Sequence, residues 1–398
     1  MAELLAPTRP ATRTRLLSID ALRGLAMVVM ALDHTRDFLH LNGFFTDPTN
    51  LATTTPALFF TRWITHYCAP TFAFLAGASA FLAGRGKTTA QLSRFLLSRG
   101  LWLMLLEITV VNFTFWFDLT FSLIFLQIIW AIGLSLVMLS GLVWLPYRVV
   151  LGIGLVMLLG HNLLDGVTVE KGTAAFAALT FLHQPGPLPL GAHRTVMVLY
   201  PVLAWVGIVS LGYCFGRLFG PGVDSATRRR SLFWLGGAAV VGFVLLRFAN
   251  GYGDPSRWAT QQTGLFTLLS FLNTTKYPPS LLFTLMTLGP GMLFLGWVEP
   301  KRTAWLRVLA VYGRVPLFYY VLHFALIHAL LVLNLLREGV PWAQVNFQNG
   351  TGGVMPNHGL SLGGMYVVWA LVVLLFYPLC RWYGRFKAGR KSGVWSYL

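Results

Sequence analysis

Residues 16–40 read LLSIDALRGLAMVVMALDHTRDFLH. The centre of this stretch is an apolar run long enough for a membrane helix, which needs about 20 residues to cross the hydrocarbon. Its ends are not apolar. Asp20 and Arg23 stand near the beginning, and Asp33, His34, Arg36, Asp37 and His40 crowd the last two turns. Ionisable side chains at membrane depth are costly and persist where they pair or act. The stretch therefore makes the chain a membrane protein and puts chemistry at the end of its first helix.

Composition agrees. Of 398 residues, 56% are hydrophobic and only 11% charged, against about 25% charged in a soluble domain. Lys and Arg number 30 and Asp and Glu 13, a net charge of +17. The basic residues lie in short clusters between apolar runs, the pattern of positive-inside orientation rather than of a nucleic-acid surface. Cys68, Cys214 and Cys380 all sit inside apolar runs and form no disulfide framework. His66 and Cys68 read as packed helix residues, and no metal is expected. No small-residue cleavage pattern follows the polar N-terminal segment, so the first apolar run is expected to remain as a helix.

The reading is an all-α integral membrane protein with ten spans at roughly 18–39, 56–83, 97–117, 121–145, 148–164, 195–217, 231–249, 278–298, 309–335 and 363–383. The short apolar piece 264–272 would make eleven if it crossed. Residues 1–14 form a cytoplasmic tail and 15–398 a single transmembrane domain. With Arg9, Arg13 and Arg15 inside, five further basic groups also fall inside: Arg85, Lys87 and Arg94; Arg148; Arg228 to Arg230; Lys301, Arg302 and Arg307; and Arg381, Arg385, Lys387, Arg390 and Lys391. Both termini are then cytoplasmic. Pro290 between Gly289 and Gly291 predicts a kink, and Gly313 with Pro316 a break before the ninth helix.

The first helix then runs outward. Asp20 and Arg23, at i and i+3, can pair. Asp33, Asp37 and His40 share a stripe, and His34 can meet Asp37. A carboxylate beside an imidazole fixes its tautomer and raises its basicity, which equips His34 as a general base. Most of the nine histidines fall in outer helix halves, among them His66, His161, His323 and His328, and suggest a polar cavity open to the outer face. Glu107 reads as a helix–helix hydrogen-bond partner. Arg23, Arg94, Arg99 and Arg314 lie at the inner boundary, where guanidinium forks suit phosphate oxygens or lipid headgroups.

The opening block, RLLSIDALRGLAMVVMALDH at 15–34, resembles that of the heparan-alpha-glucosaminide N-acetyltransferase catalytic domain family. THYCAPTFAFLAGASAFL (65–82), KYPPSLLFTLMTLGP (276–290), GRVPLFYYVLHFALIH (313–328) and the tail from Tyr377 to Leu398 are similar to its bacterial branch. The resemblance implies a multi-pass acyltransferase of the bacterial inner membrane. Acetyl would come from cytosolic acetyl-CoA, a co-substrate, and go to an amino sugar or glycan at the outer face. It implies a CoA site at the inner face, for which Arg23, Arg94, Arg99 and Arg314 are the candidates, and a catalytic histidine near the outer face, for which His34, oriented by Asp33 and Asp37, is the first candidate. His66 and His40 are other candidates for that histidine. Tyr320, His323 and Lys276 fall to the acceptor side. Membrane lipid is a partner and a homodimer an expectation. In the lysosomal branch an asparagine stands in the place of His34, and the catalytic histidine comes later. The flanking carboxylates favour His34 here.

Two rivals use the same residues otherwise. A proton-coupled transporter would run a proton relay through the carboxylates and histidines, with broken helices lining its path. A non-catalytic envelope-assembly or sensing protein would use the charges for packing alone.

Overall fold

A computed structural model describes residues 16–389. They form α1 (Leu17–Leu39), α2 (Pro56–Thr65), α3 (Cys68–Gly84), α4 (Thr89–Leu106), α5 (Asn112–Trp116), α6 (Ile128–Leu142), α7 (Tyr147–Gly160) and α8 (Ala174–Leu182). After these come α9 (Val202–Phe215), α10 (Ser225–Ala249), α11 (Gly264–Leu272), α12 (Leu281–Val298), α13 (Ala304–Gly313), α14 (Pro316–Arg337) and α15 (Leu362–Ala388). A π-helical turn, Glu107–Val111, joins α4 to α5. The predicted tail 1–14, together with Arg15, Arg390 and Lys391, lies outside the described residues.

Among the described residues, eight helical segments are long and apolar enough to cross a membrane: Pro56–Gly84, Thr89–Trp116, Tyr147–Leu164, Val202–Phe219, Ser225–Ala249, Leu281–Val298, Pro316–Arg337 and Leu362–Ala388. The chain is a multi-pass membrane protein. Two of the ten predicted spans do not meet that description. α1 has 23 residues but carries the five charges named above; it is mostly buried and packs against α2, α3, α12, α13, α14 and α15. α6 has only 15 residues. The piece 121–127, read as its beginning, instead contains strand β1 (Leu123–Leu126). A short apolar run does not distinguish strand from helix by periodicity. α11, at nine residues, is too short to cross.

β1 pairs in parallel with β3 (Thr195–Val198), and β2 (Gly186–Pro189) pairs antiparallel with β3. Other backbone groups of β1 find the Asn112 side chain, whose Nδ2 donates to Leu123 O at 3.1 Å and whose Oδ1 accepts from Phe125 N at 2.9 Å. In apolar surroundings such groups need partners. The predicted span 195–217 begins as β3, and its helix starts after Pro201. The predicted ninth span divides between α13 and α14, while α12 continues as helix through Pro290.

α1 and α13 cross at backbone distance. A Cβ on Gly24 would lie 1.8 Å from Leu309 O, and one on Gly313 1.9 Å from Asp20 O. Small residues permit that approach. It brings two arginines to one carboxylate: Asp20 meets Arg23 at 3.3 Å and Arg314 at 3.8 Å.

A second anchor holds the opposite end. Arg247, 1% exposed in the last turn of α10, donates to the carbonyls of Ser256 (2.6 Å), Ser270 (3.0 Å), Phe271 (2.9 Å) and Asn273 (2.7 Å). Three of these acceptors lie at the carboxyl end of α11, whose orphan carbonyls and dipole favour a cation. Arg247→Met is expected to cost about 3 kcal/mol, since those buried acceptors lose charged donors. A thermal unfolding midpoint in detergent no lower than native would contradict this.

Candidate active site

The last turns of α1 meet the α2–α3 junction and the segment before α12. Asp33 is the common partner. Its carboxylate is 2.6 Å from Arg62 Nη1, 3.0 Å from Arg36 Nη1 and 3.6 Å from Lys276 Nζ, and Thr65 Oγ1 donates to it at 2.9 Å. Arg36 also pairs with Asp37. Lys276 is carried in by a segment tied to Asp254, which accepts from Thr275 N (2.9 Å), Thr275 Oγ1 (2.9 Å) and Ser280 Oγ (2.6 Å). The Lys276 ammonium lies 5.2 Å from the Tyr277 ring centre, and Tyr277 packs against Tyr200.

The two carboxylates flank His34 in sequence but turn to these cations, and among the described residues neither holds the imidazole by a hydrogen bond or ion pair. His34 lies instead against α14. Its ring is 5.1 Å from His323 and 4.0 Å from Phe324, centre to centre. His323 is fully buried, and its Nδ1 faces Tyr319 O at 2.9 Å. A carbonyl only accepts, so Nδ1 carries the hydrogen and a neutral ring leaves Nε2 with its lone pair. That Nε2, and Nδ1 of His34, have no hydrogen-bond partner among the described residues. His34 is only half-buried. His66 ends α2 beside Phe283, with Nδ1 also unpartnered among the described residues. The Cys68 thiol donates to Ala26 O at 3.3 Å, away from a shared ligand position with His66. His40 ends α1, where the backbone of Leu41 bonds to Leu360.

A cavity of about 320 Å³ opens from the other end of α1. Arg23 (α1), Ser79 (α3), Arg99 (α4), Arg314 (after α13) and Lys387 (α15) line one end. Followed inward, each helix turns apolar: Met27, Phe72, Leu103 and Ile128, with Tyr320 the furthest lining residue along α14. Tyr320 precedes His323 by three residues, and their rings are 5.8 Å apart. The cavity thus runs from a basic mouth to the neighbourhood of the two histidines. Arg23 is aimed across the mouth by Ser79 Oγ (2.8 Å) and Gly313 O (3.2 Å).

Three of the four arginines expected to meet phosphate line this cavity. Arg94 is exposed and is not among the lining residues. Tyr320, expected on the acceptor side, lies in the cavity with the arginines. Lys276 and His323 belong to the charged cluster and the histidine pair. Lys387 went unremarked as a site residue, and its place in a C-terminal basic cluster gave only an orientation signal. Arg36 and Arg62 were legible as charges but not as the partners of Asp33. Glu107 is fully buried in the π-helical turn and accepts from Gln127 N at 3.2 Å, so it caps the start of α6. That start supplies Ile128 and Ile129 to the cavity wall.

Residues 15–245 match the family model described as heparan-alpha-glucosaminide N-acetyltransferase, catalytic. The match includes the blocks at 15–34 and 65–82 and ends before α11. No curated protein matches the chain.

Proposed function

The chain belongs to the heparan-alpha-glucosaminide N-acetyltransferase catalytic domain family, and on that premise we propose that it transfers acetyl from acetyl-CoA to an amino sugar or glycan amine. One observation carries the reading: a cavity with a basic mouth whose apolar interior ends beside Tyr320, one turn from the His323–His34 pair. Such a shape suits a phosphorylated, flexible thioester. Arg23, Arg99, Arg314 and Lys387 hold the phosphates, the apolar walls take the pantetheine arm, and the thioester sits near Tyr320. Positive-inside orientation favours a cytoplasmic mouth in a bacterial inner membrane, with both termini inside and α1 and α6 completing ten crossings.

The acceptor enters from the opposite end, where His34 is half-buried. An ammonium must lose its proton before nitrogen can attack. His34 takes that proton, nitrogen bonds to the carbonyl carbon, and the carbon–sulfur bond breaks to leave CoA thiolate. The Tyr320 hydroxyl, which has no partner among the described residues, donates to the carbonyl oxygen as charge develops there. His323 packs behind His34 and fixes its ring. Asp33 and Asp37 act at one remove, by fixing Arg36 and the end of α1.

Calorimetric titration of detergent-solubilised protein with acetyl-CoA tests the donor half. The native chain should bind saturably. Arg23→Ala, Arg99→Ala and Arg314→Ala together should weaken binding at least about 100-fold, since each lost charged contact removes about 1.5 kcal/mol or more and 1.4 kcal/mol is tenfold. Arg94→Ala should leave it unchanged. No binding by the native protein, or equal binding by the triple variant, would remove this reading.

A further inference from the structure

We infer that the outer charged cluster is a binding site for one anionic group, a carboxylate or sulfate carried by the acceptor beside its reacting amine. The inference rests on the acyltransfer reading and specifies its substrate. The cluster holds three cations, Arg36, Arg62 and Lys276, and two carboxylates, Asp33 and Asp37, among the described residues. With carboxylates ionised and tyrosines neutral, one positive charge is left over. A buried charge without a counter-charge is strongly disfavoured, whereas a balanced and hydrogen-bonded group is tolerated.

Three features direct that charge at a ligand. Asp33 is shared by all three cations, and of these only Arg36 has a second carboxylate, Asp37, so Arg62 and Lys276 divide one charge with it; Lys276 is the most loosely held, 3.6 Å away. Polar atoms remain unused. Arg36 Nε and His66 Nδ1 have no partner among the described residues, although Arg36 is 2% and His66 3% exposed. The cluster also reaches the surface, through Asp37, whose side chain is 30% exposed, and Arg62, at 14%. A monoanion entering there would neutralise the cluster. It would accept from Lys276 and the arginine forks and hold the neighbouring amine near His34, next to Asp33 in the chain. A neutral amino sugar would bring its ammonium to a site already positive and leave the cations unmatched. Selection against it follows from that repulsion.

The test compares D-glucosamine, D-glucosamine 6-sulfate and 2-amino-2-deoxy-D-glucuronic acid. Acetyl transfer is followed by release of the CoA thiol, and sugar binding alone by the shift in thermal unfolding. The expected result is a kcat/KM at least tenfold higher for one or both anionic sugars than for glucosamine. The better anion tells sulfate from carboxylate. In Lys276→Gln the anionic-to-neutral ratio should fall to within twofold, and in Lys276→Arg it should persist. A ratio taken within one variant is not altered by a partial loss of folded protein. Glucosamine used as well as both anions, or a ratio unchanged in Lys276→Gln, overturns the inference and leaves acyltransfer standing. Anion-selective stabilisation without transfer supports the anion site and removes the acyltransfer reading. Neither transfer nor selective stabilisation overturns both.

Discussion

His34→Ala protein is expected to bind acetyl-CoA with near-native affinity and to transfer acetyl about 100- to 10,000-fold more slowly, the usual contribution of a positioned general base. The two effects separate because two ends of α1 are involved. Donor affinity is assigned to Arg23 and its neighbours at the cavity mouth, whereas His34 sits about two turns beyond Met27, the last α1 residue in the cavity wall. Among the described residues His34 makes no ion pair, and its ring packs on His323 and Phe324, so truncation leaves a small gap but strands no charge. The protein should therefore fold. Calorimetry with acetyl-CoA and a thiol-release assay on the same preparation check both halves. Normal turnover by His34→Ala would move the base to His323, whose Nε2 lone pair is left by the Nδ1 contact with Tyr319 O. His323→Ala would then be the slow variant. Loss of both binding and turnover would mean that His34 supports the fold, and the catalytic assignment would fail.

The first helix was legible for a physical reason. An apolar run closed at both ends by ionisable groups has few explanations in a membrane, and α1 occupies 17–39 as the pattern requires. Segments bounded by Pro or by basic clusters were also legible, since these set helix ends and orientation locally. The stretch 121–127 was not. Its residues SLIFL suit a strand or a helix, and the choice was made by β3, some 70 residues away, and by the Asn112 side chain. The site shows the same division. Which residues are charged, and which share a turn, can be read along the chain. Whether a carboxylate turns to the imidazole beside it or to an arginine on another helix is decided in three dimensions. Asp33 is next to His34 in sequence, yet it is held by Arg62 and Lys276, 29 and 243 positions away. Charge–charge attraction in a medium of low polarity outweighs what an imidazole can offer a carboxylate. The arginines of the cavity mouth were recoverable from depth alone, but Arg94 and Arg99 could be separated only by knowing which side of α4 faces inward.

Asp33→Ala should be the most destabilising single change at the site, costing about 3–5 kcal/mol, the range for breaking a buried ion pair from one side. Three cations would lose their common partner, and Asp37 alone cannot replace it because among the described residues it is paired only with Arg36. Thr65 would lose its acceptor as well. The cost comes from the stranded cations, and that makes the prediction separable from a simple loss of contacts. Removing a cation together with the carboxylate should recover stability, so Asp33→Ala with Arg62→Met should unfold at a higher temperature than Asp33→Ala alone. The methionine fills part of the space of the guanidinium stem without a charge. Thermal unfolding in detergent of the native chain, both single variants and the double variant closes the cycle. If the double variant is the least stable of the four, Asp33 and Arg62 contribute independently and the shared-partner account is wrong. If it recovers stability yet transfers no acetyl, the cluster is needed for the reaction as well as for the fold, as an anion-binding acceptor site requires.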